Sequence, residues 1–403
     1  MKRHRVMMAI GGMHGGGSER QLVLLLKHLD RSRFEPHLYL VYRTGPLLEQ
    51  IPDDVQIHSF DQRVAPSRLY LPGLMHQRRV NDYARCLQEN QIDVSYDRTF
   101  LMTLISAAGA QKVGVPNLST VVTNPEIGFA PVAGRFQWFK RRILHRLYND
   151  SFRVLAVSNG ARESAIRFYG IQPDRIVTHY NGVDFEAIDK AAQSPVDSEW
   201  WNLSHDQTGR PVFRIVSAGR LNHEKGFHVL IEAVHDLCQK LPHVAFRLAI
   251  LGDGPHRDSL QFLIRRLSLQ NQMGRQDVVR LVDFQTNAPA WYGSANIFVL
   301  ASLMEGMPNV LLEAMACGTP VISTDCQSGP AEILQSGKYG TLVPVNDAAA
   351  ISRAVESIVL QPESARSIAS AAQSFARKRW SIRAAAEQLE HHLDEAAASR
   401  KRQ

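Results

Sequence analysis

Short apolar runs alternate with helical patterns along the whole chain, and this rhythm restricts the fold more than any other feature. In residues 1–187, runs that suit strands lie at "RVMMAI", "PHLYLVY", "VQIHSF", "DVSY", "LSTVV", "RVLAVS" and "RIVTHY". Helical patterns fall between most of them, for example at 18–29 and 78–90. The second half repeats the style, with strands at "VFRIVSAG", "AFRLAILG", "VVRLVDF", "NIFVLAS", "PVIST" and "GTLVP". Helical patterns near 227–240, 257–269, 308–317 and 347–360 separate them. Such alternation predicts α/β architecture, with two doubly wound, Rossmann-like parallel sheets. The 403 residues are too many for one ordinary domain and comfortable for two. The expected division is a first domain over 1–187, a polar linker over 188–211, a second domain over 212–377, and a helical tail over 378–403.

Composition narrows the class. Hydrophobic residues make up 44% and charged residues 21%, as in globular proteins. No run approaches the roughly 20 apolar residues of a spanning helix. The opening "MKRHRVMMAIGG" lacks a full signal-peptide core and reads as a first strand. Cys86, Cys238, Cys317 and Cys326 show no metal-ligand spacing and read as reduced, packed thiols of a cytoplasmic protein. The net charge is +7. Residues 1–187 hold 24 Lys and Arg against 17 Asp and Glu, so they carry all of it; the remainder holds 22 of each. A basic first half suits a membrane surface, a phosphorylated substrate or nucleic acid. No nucleic-acid recognition motif supports the last.

Residues 11–20, "GGMHGGGSER", place five glycines in seven positions between a strand and a helix. The loop is not a P-loop, because Gly17 stands where Lys is needed. It is not G-x-G-x-x-G either, because from Gly15 the last position is Arg20. The reading left is a strand-to-helix loop where Gly16 and Gly17 bring backbone N–H groups close to a ligand or a neighbouring helix. Ser18 is expected to cap that helix.

The stretch "ASLMEGMPNVLLEAMACGTPVIST" (301–324) follows a strand. Pro308 suits the first turn of a helix, with Glu305 in the loop before it and Glu313 inside it. From Pro308 to Glu313 the rise is about 7.5 Å, so one ligand across the helix N-terminus can touch both carboxylates. Free N–H groups there suit a phosphate. In "IVSAGRLNHEKGFHVLIEAV" (215–234), Arg220 leaves a strand end and Lys225 precedes a helix. Two cations in that place suit a pyrophosphate and stabilise it as a leaving group. Taken singly, each of these residues also suits a solvated surface.

Together, "GRLNHEKG" and "EGMPNVLLEAMACGTPVIST" resemble signatures of the retaining, nucleotide-sugar-dependent glycosyltransferases of family 4, which have the GT-B fold. "GGGSER", "VSNG" (157–160), "NGVD" (181–184) and "LGDGP" (251–255) match in order, over about residues 9–345. The resemblance implies two Rossmann-like domains facing a cleft, with the last helix crossing back to the first. It implies that Glu305 holds the donor sugar's hydroxyls, Glu313 the ribose, and Arg220 and Lys225 the diphosphate. Gly16, Gly17, Gly252, Met307, Pro308 and Asn309 join the donor-binding set, and the segment after "LVDF" flanks the base. It implies a UDP-sugar donor, or a GDP-sugar, and a glycan or lipid-linked acceptor in envelope polysaccharide or lipopolysaccharide synthesis. The nucleotide-sugar is a substrate, and neither cofactor nor metal is expected; the chain has no D-x-D. Many relatives carry a His in the first domain where "STVVTNPEIGF" offers Asn124. Asn hydrogen-bonds a hydroxyl but cannot act as a base, and Asn124-Pro125 equally suits a turn.

"GRFQWFKRRILHRLYND" (134–150) carries Arg135, Lys140, Arg141, Arg142 and Arg146 and no acid before Asp150. Phe136, Phe139, Ile143 and Leu147 recur near helical spacing beside Trp138. This predicts a basic amphipathic helix, lying on an anionic membrane or forming part of an acceptor patch; a core helix with a basic outer face is the other reading. Other functions open to the same architecture are a nucleotide-sugar epimerase, a phosphorylase, a NAD-dependent dehydrogenase and a non-catalytic nucleotide-sugar sensor.

Overall fold

Among the described residues, thirteen strands account for the apolar runs, and all of their ladder pairings are parallel. In the computed structural model, residues 3–65, 73–270 and 277–400 are described. One compact unit comprises Met1–Gly182 with Ile382–Gln403, and a second comprises Val183–Ser381. The first unit holds β1 (His4–Ile10), β2 (Phe34–Leu40), β3 (Gln56–Ser59), β4 (Val94–Arg98), β5 (Asn117–Val121), β6 (Arg153–Ala156) and β7 (Ile176–Thr178). They lie in the order β3-β2-β1-β4-β5-β6-β7. Register runs from His4 opposite Phe34 to Ile10 opposite Leu40, and from Val6 opposite Val94 to Ala9 opposite Asp97.

The second unit holds β8 (Val212–Ala218), β9 (Ala245–Leu251), β10 (Val279–Val282), β11 (Ile297–Leu300), β12 (Val321–Thr324) and β13 (Thr341–Val343), in the order β10-β9-β8-β11-β12-β13. Both sheets therefore reverse direction once, at β1/β4 and at β8/β11. Connections leaving the two strands of such a pair diverge, and a crevice opens beyond their carboxyl ends.

Each sheet is buried by apolar side chains that alternate between its faces. Val6, Met8, Val94 and Tyr96 pack on one face of the first sheet, and Met7, Ala9 and Tyr39 on the other. The helix Ile382–Arg400 belongs to the first unit: Ala385, Ala386, Leu389, Leu393 and Ala396 join the Val6 face. Glu390 on this helix is nearly buried and meets the Arg33 guanidinium at 2.8 Å and the Asp30 N–H at 2.8 Å. At the end of β4, fully buried Asp97 accepts hydrogen bonds from Thr103 Oγ1, Ser106 Oγ, Asn117 Nδ2 and Ser119 Oγ at 2.6–3.0 Å. Burial pushes its pKa up, and these donors oppose that shift.

Two details differ from the sequence reading. Residues 188–211 are packed rather than tether-like: they carry the end of the helix Phe185–Ala192 and the short helix Glu199–Asn202. Trp201 is fully buried there, with its indole N–H on Ser294 Oγ at 2.8 Å and its ring 5.1 Å from that of Trp291. Two tryptophans in a polar stretch supply enough apolar area to dock it. The units accordingly divide at Gly182/Val183 and at Ser381/Ile382.

Leu389→Ala empties a fully buried site in the first unit. It is expected to destabilise that unit by about 2–5 kcal/mol. Hydrogen exchange should show lost protection in β1 and β4 and unchanged protection in β8 and β9.

Candidate functional site

The crevice pair β8/β11 brings together residues 80 apart in sequence. Lys225 ends a single 3₁₀ turn, His223–Lys225, after β8. Glu305 lies in the loop after β11, as the sequence placed it. The Lys225 Nζ donates to Glu305 Oε1 at 2.6 Å, with the carboxylate largely buried and the ammonium partly exposed. Ser302, fully buried, donates its Oγ to the same Oε1, also at 2.6 Å. Thr324 Oγ1, at the end of β12, donates in turn to the Ser302 carbonyl. The carboxylate is thus gripped on one oxygen by a cation and a hydroxyl. Arg220, two residues beyond β8, is exposed and makes no ion pair among the described residues.

Two glycines let the surrounding loops interlock. Gly226 follows Lys225 with φ +62°, and a Cβ there would sit 2.0 Å from the Ala301 carbonyl oxygen. The Leu303 N–H donates to the Glu224 carbonyl at 2.8 Å beside it. Gly252, just after β9, has φ +143°, and its Cβ would lie 2.0 Å from the Gly219 carbonyl oxygen. Leu221 N–H to Asp253 O and His256 N–H to Leu221 O, both 2.9 Å, continue the lacing. The segment after Leu281–Phe284 follows β10, where Arg257 pairs with Asp283 at 2.8 Å.

The helix Asn309–Ala316 starts one residue later than expected. Pro308 occupies the N-cap position with extended geometry, Met307 is buried before it, and Glu313 lies partly buried inside the helix. Pro308 has no side-chain acceptor, so the N-cap residue itself caps none of the first-turn N–H groups of this helix.

In the first unit, Gly16 is the N-cap of the helix Gly17–His28, and both glycines are exposed beyond β1. Ser18 does not cap: the helix begins at Gly17, so Ser18 lies two positions past the Gly16 N-cap. The Glu19 carboxylate folds back beside Gly16 instead. His14 is held against Thr44 Oγ1 at 3.2 Å. Asn124 is 2% exposed and N-caps the helix Pro125–Ala133. Its Oδ1 accepts from the Glu126 N–H at 3.0 Å and from Ser164 Oγ at 2.5 Å. That is the turn geometry the Asn-Pro pair allowed.

The basic stretch forms the helix Gln137–Asp150. Its buried face is Leu144, Leu147 and Tyr148, whereas Phe136, Trp138 and Phe139 are exposed. The apolar positions therefore split between core and surface and do not form one lipid-facing stripe. Arg141 stacks on Phe168 at 4.3 Å and Arg146 meets Asp150 at 3.5 Å, while Arg135, Arg142 and Trp138 stay exposed and Lys140 is half-buried. The four cysteines are free, and burial pushes their thiols up to about 11–12, so they stay protonated near neutrality.

Sequence reasoning missed Ser302 and Thr324. Both lie inside the quoted 301–324 stretch, but only the pairing of β11 with β12 shows that one orients the other.

Gly226→Ala and Gly252→Ala each force a backbone overlap at positive φ. Each is expected to cost about 1–3 kcal/mol of the second unit's stability, measured by denaturant unfolding. Wild-type stability in both would contradict the interlocked loops.

The comparisons agree with this geometry. Residues 207–375 match the family described as "Glycosyl transferases group 1", and residues 15–187 match "Glycosyltransferase Family 4". The chain is 36% identical over 175 residues to "Uncharacterized glycosyltransferase MJ1059" of Methanocaldococcus jannaschii; that match spans 40% of each chain, less than half of the relative's length. It is 27% identical over 346 residues, 84% of this chain and 85% of the other, to the "N-acetylgalactosamine-N,N'-diacetylbacillosaminyl-diphospho-undecaprenol 4-alpha-N-acetylgalactosaminyltransferase" of Campylobacter jejuni. The crystal structure of Anabaena Alr3699/HepE in complex with UDP and glucose superposes with a TM-score of 0.77 at 21% identity, over 97% of this chain and 100% of that one. Two Rossmann-like units, their loop chemistry and two adjoining family matches together make this chain a member of the GT-B glycosyltransferases of family 4, the group 1 type.

Proposed function

We propose that the protein is a retaining, metal-independent glycosyltransferase that moves a sugar from a nucleotide-sugar, with UDP-sugar favoured over GDP-sugar, to a glycan or lipid-linked acceptor. Envelope polysaccharide or lipopolysaccharide synthesis is its setting, and an anionic membrane surface is a partner in this reading. The observation that carries it is the convergence of Lys225 and Ser302 on Glu305 at the β8/β11 crevice, with exposed Arg220 beside the same strand end.

In this reading Arg220 and Lys225 neutralise the donor diphosphate, and the N-terminus of the helix Asn309–Ala316 adds its dipole. Glu305 accepts hydrogen bonds from the sugar, and Glu313 from the ribose. Gly252, Met307, Pro308 and Asn309 let backbone approach the donor. The sugar C1–O bond to the diphosphate breaks and a C1–O bond to the acceptor hydroxyl forms on the same face. The departing diphosphate oxygen takes the hydroxyl proton. Asn124, spent on capping, transfers no proton. The cations do the work a divalent ion does elsewhere, by stabilising charge that grows on the leaving group.

Binding and slow hydrolysis of UDP-, GDP- and ADP-sugars in EDTA test this. Turnover should persist without metal, and Glu305→Gln and Arg220→Ala should each lower it about a hundredfold. Equal activity in the variants would overturn the site, and interconversion of free nucleotide-sugars without transfer would favour an epimerase.

Ser302→Ala removes one of two donors that aim Glu305. It should lower kcat about tenfold with little change in donor affinity, because a hydrogen bond to a charged group is worth about 1.5–3 kcal/mol. Ser302→Thr, which keeps the hydroxyl, should recover most of the rate.

A further inference from the structure

The helix Pro125–Ala133 stops at Gly134, and the chain turns sharply before the helix Gln137–Asp150 begins. Phe136 sits in that turn in left-handed geometry, φ +62° and ψ +41°. A bulky residue in that region is strained. The turn nevertheless pushes apolar bulk outward: Val132 is 55% exposed, Phe136 66%, Trp138 72% and Phe139 51%. Trp138 and Phe139 meet edge to face at 5.8 Å. No other part of the described chain exposes four large apolar side chains within eight residues.

The turn is braced from within. Lys140 Nζ donates to the Ala133 carbonyl at 2.5 Å, Gln137 Nε2 to the Ala130 carbonyl at 3.2 Å, and the Lys140 N–H to the Phe136 carbonyl at 3.1 Å. Behind it, Leu144, Leu147 and Tyr148 anchor the second helix in the core. The apolar tip is therefore a fixed projection.

The stretch of chain that carries it has one sign of charge. Residues 127–149 include Arg135, Lys140, Arg141, Arg142 and Arg146 and no Asp or Glu. Arg135 lies 6.0 Å from the Phe136 ring centroid. Arg142 is exposed and makes no ion pair among the described residues. A second copy of this chain set against the tip would bring five cations against five, which repel. An anionic lipid surface meets both features at once: phosphates pair with the cations, and Trp and Phe rings settle at the headgroup level.

We propose that residues 132–139 form a wedge that inserts into anionic membrane, with Arg135, Lys140 and Arg142 on the lipid phosphates. The helix behind it stands on the membrane by its N-terminal end rather than lying flat, because its own apolar face is used in the core. The wedge's purpose, bringing the enzyme to a lipid-linked acceptor, rests on the function proposed above; its lipid binding does not.

Cosedimentation of the full chain with phosphatidylcholine vesicles, with and without phosphatidylglycerol, tests the wedge. The wild type should bind only the phosphatidylglycerol vesicles, and more weakly as salt rises. Arg135→Glu with Arg142→Glu should lower binding by at least about fivefold per cation removed. Trp138→Ser with Phe139→Ser should lower binding at every salt concentration. Hydrolysis of the donor without vesicles should match wild type in both double variants, which also reports that they fold. Conversely, Glu305→Gln should bind vesicles as wild type does, so a failed donor site and a failed wedge give different results. Wild-type vesicle binding in either double variant would overturn the proposal. So would a lipid-free wild-type dimer that these changes convert to monomer, since the tip would then be a self-association face.

Discussion

Parallel pairing between strands distant in sequence is the constraint from which the rest follows. β8 and β11 lie side by side although β9 and β10 separate them in the chain. Their carboxyl ends therefore release two loops into one place. The Lys225–Glu305 pair exists only because of that adjacency, since neither loop alone holds both charges. The Ala301 carbonyl approaches Gly226 so closely that only a residue without a Cβ fits. Strand order, loop spacing and side-chain chemistry are thus one linked arrangement.

Much of this was legible because apolar runs and glycine punctuation report local structure directly. The strand at "VFRIVSAG" became Val212–Ala218, and the helical pattern at 227–240 became Phe227–Lys240. Glu305 in a loop and Glu313 in a helix followed from Gly306 and Pro308. What stayed hidden depends on tertiary placement. The average polarity of 188–211 masked Trp200 and Trp201, whose burial is decided by partners such as Trp291 far along the chain. Helical spacing grouped Phe139 with Leu147, yet one is exposed and the other is buried. Periodicity says which residues share a face, not whether a neighbour covers it.

The same limit applies to single polar residues. Asn124 stood where a reactive histidine was sought, and the structure shows its oxygen taken by Glu126 N–H and Ser164 Oγ. Ser302 attracted no notice in the sequence, and the structure puts its hydroxyl on the Glu305 carboxylate. Residue type states what a side chain can do; the partner within reach decides what it does.

The helix Ile382–Arg400 closes the core of the unit that the chain starts to build at residue 1. Leu389 and Leu393 are synthesised after every residue of the second unit. During translation the second unit therefore has its complete set of residues while the first still exposes the apolar face of Val6, Met8, Val94 and Leu118. The usual expectation that the N-terminal unit is complete first does not hold for this order of residues. The first unit can complete its core only once residues 382–400 have been made, so a truncation upstream of residue 382 leaves its Val6 face without that cover.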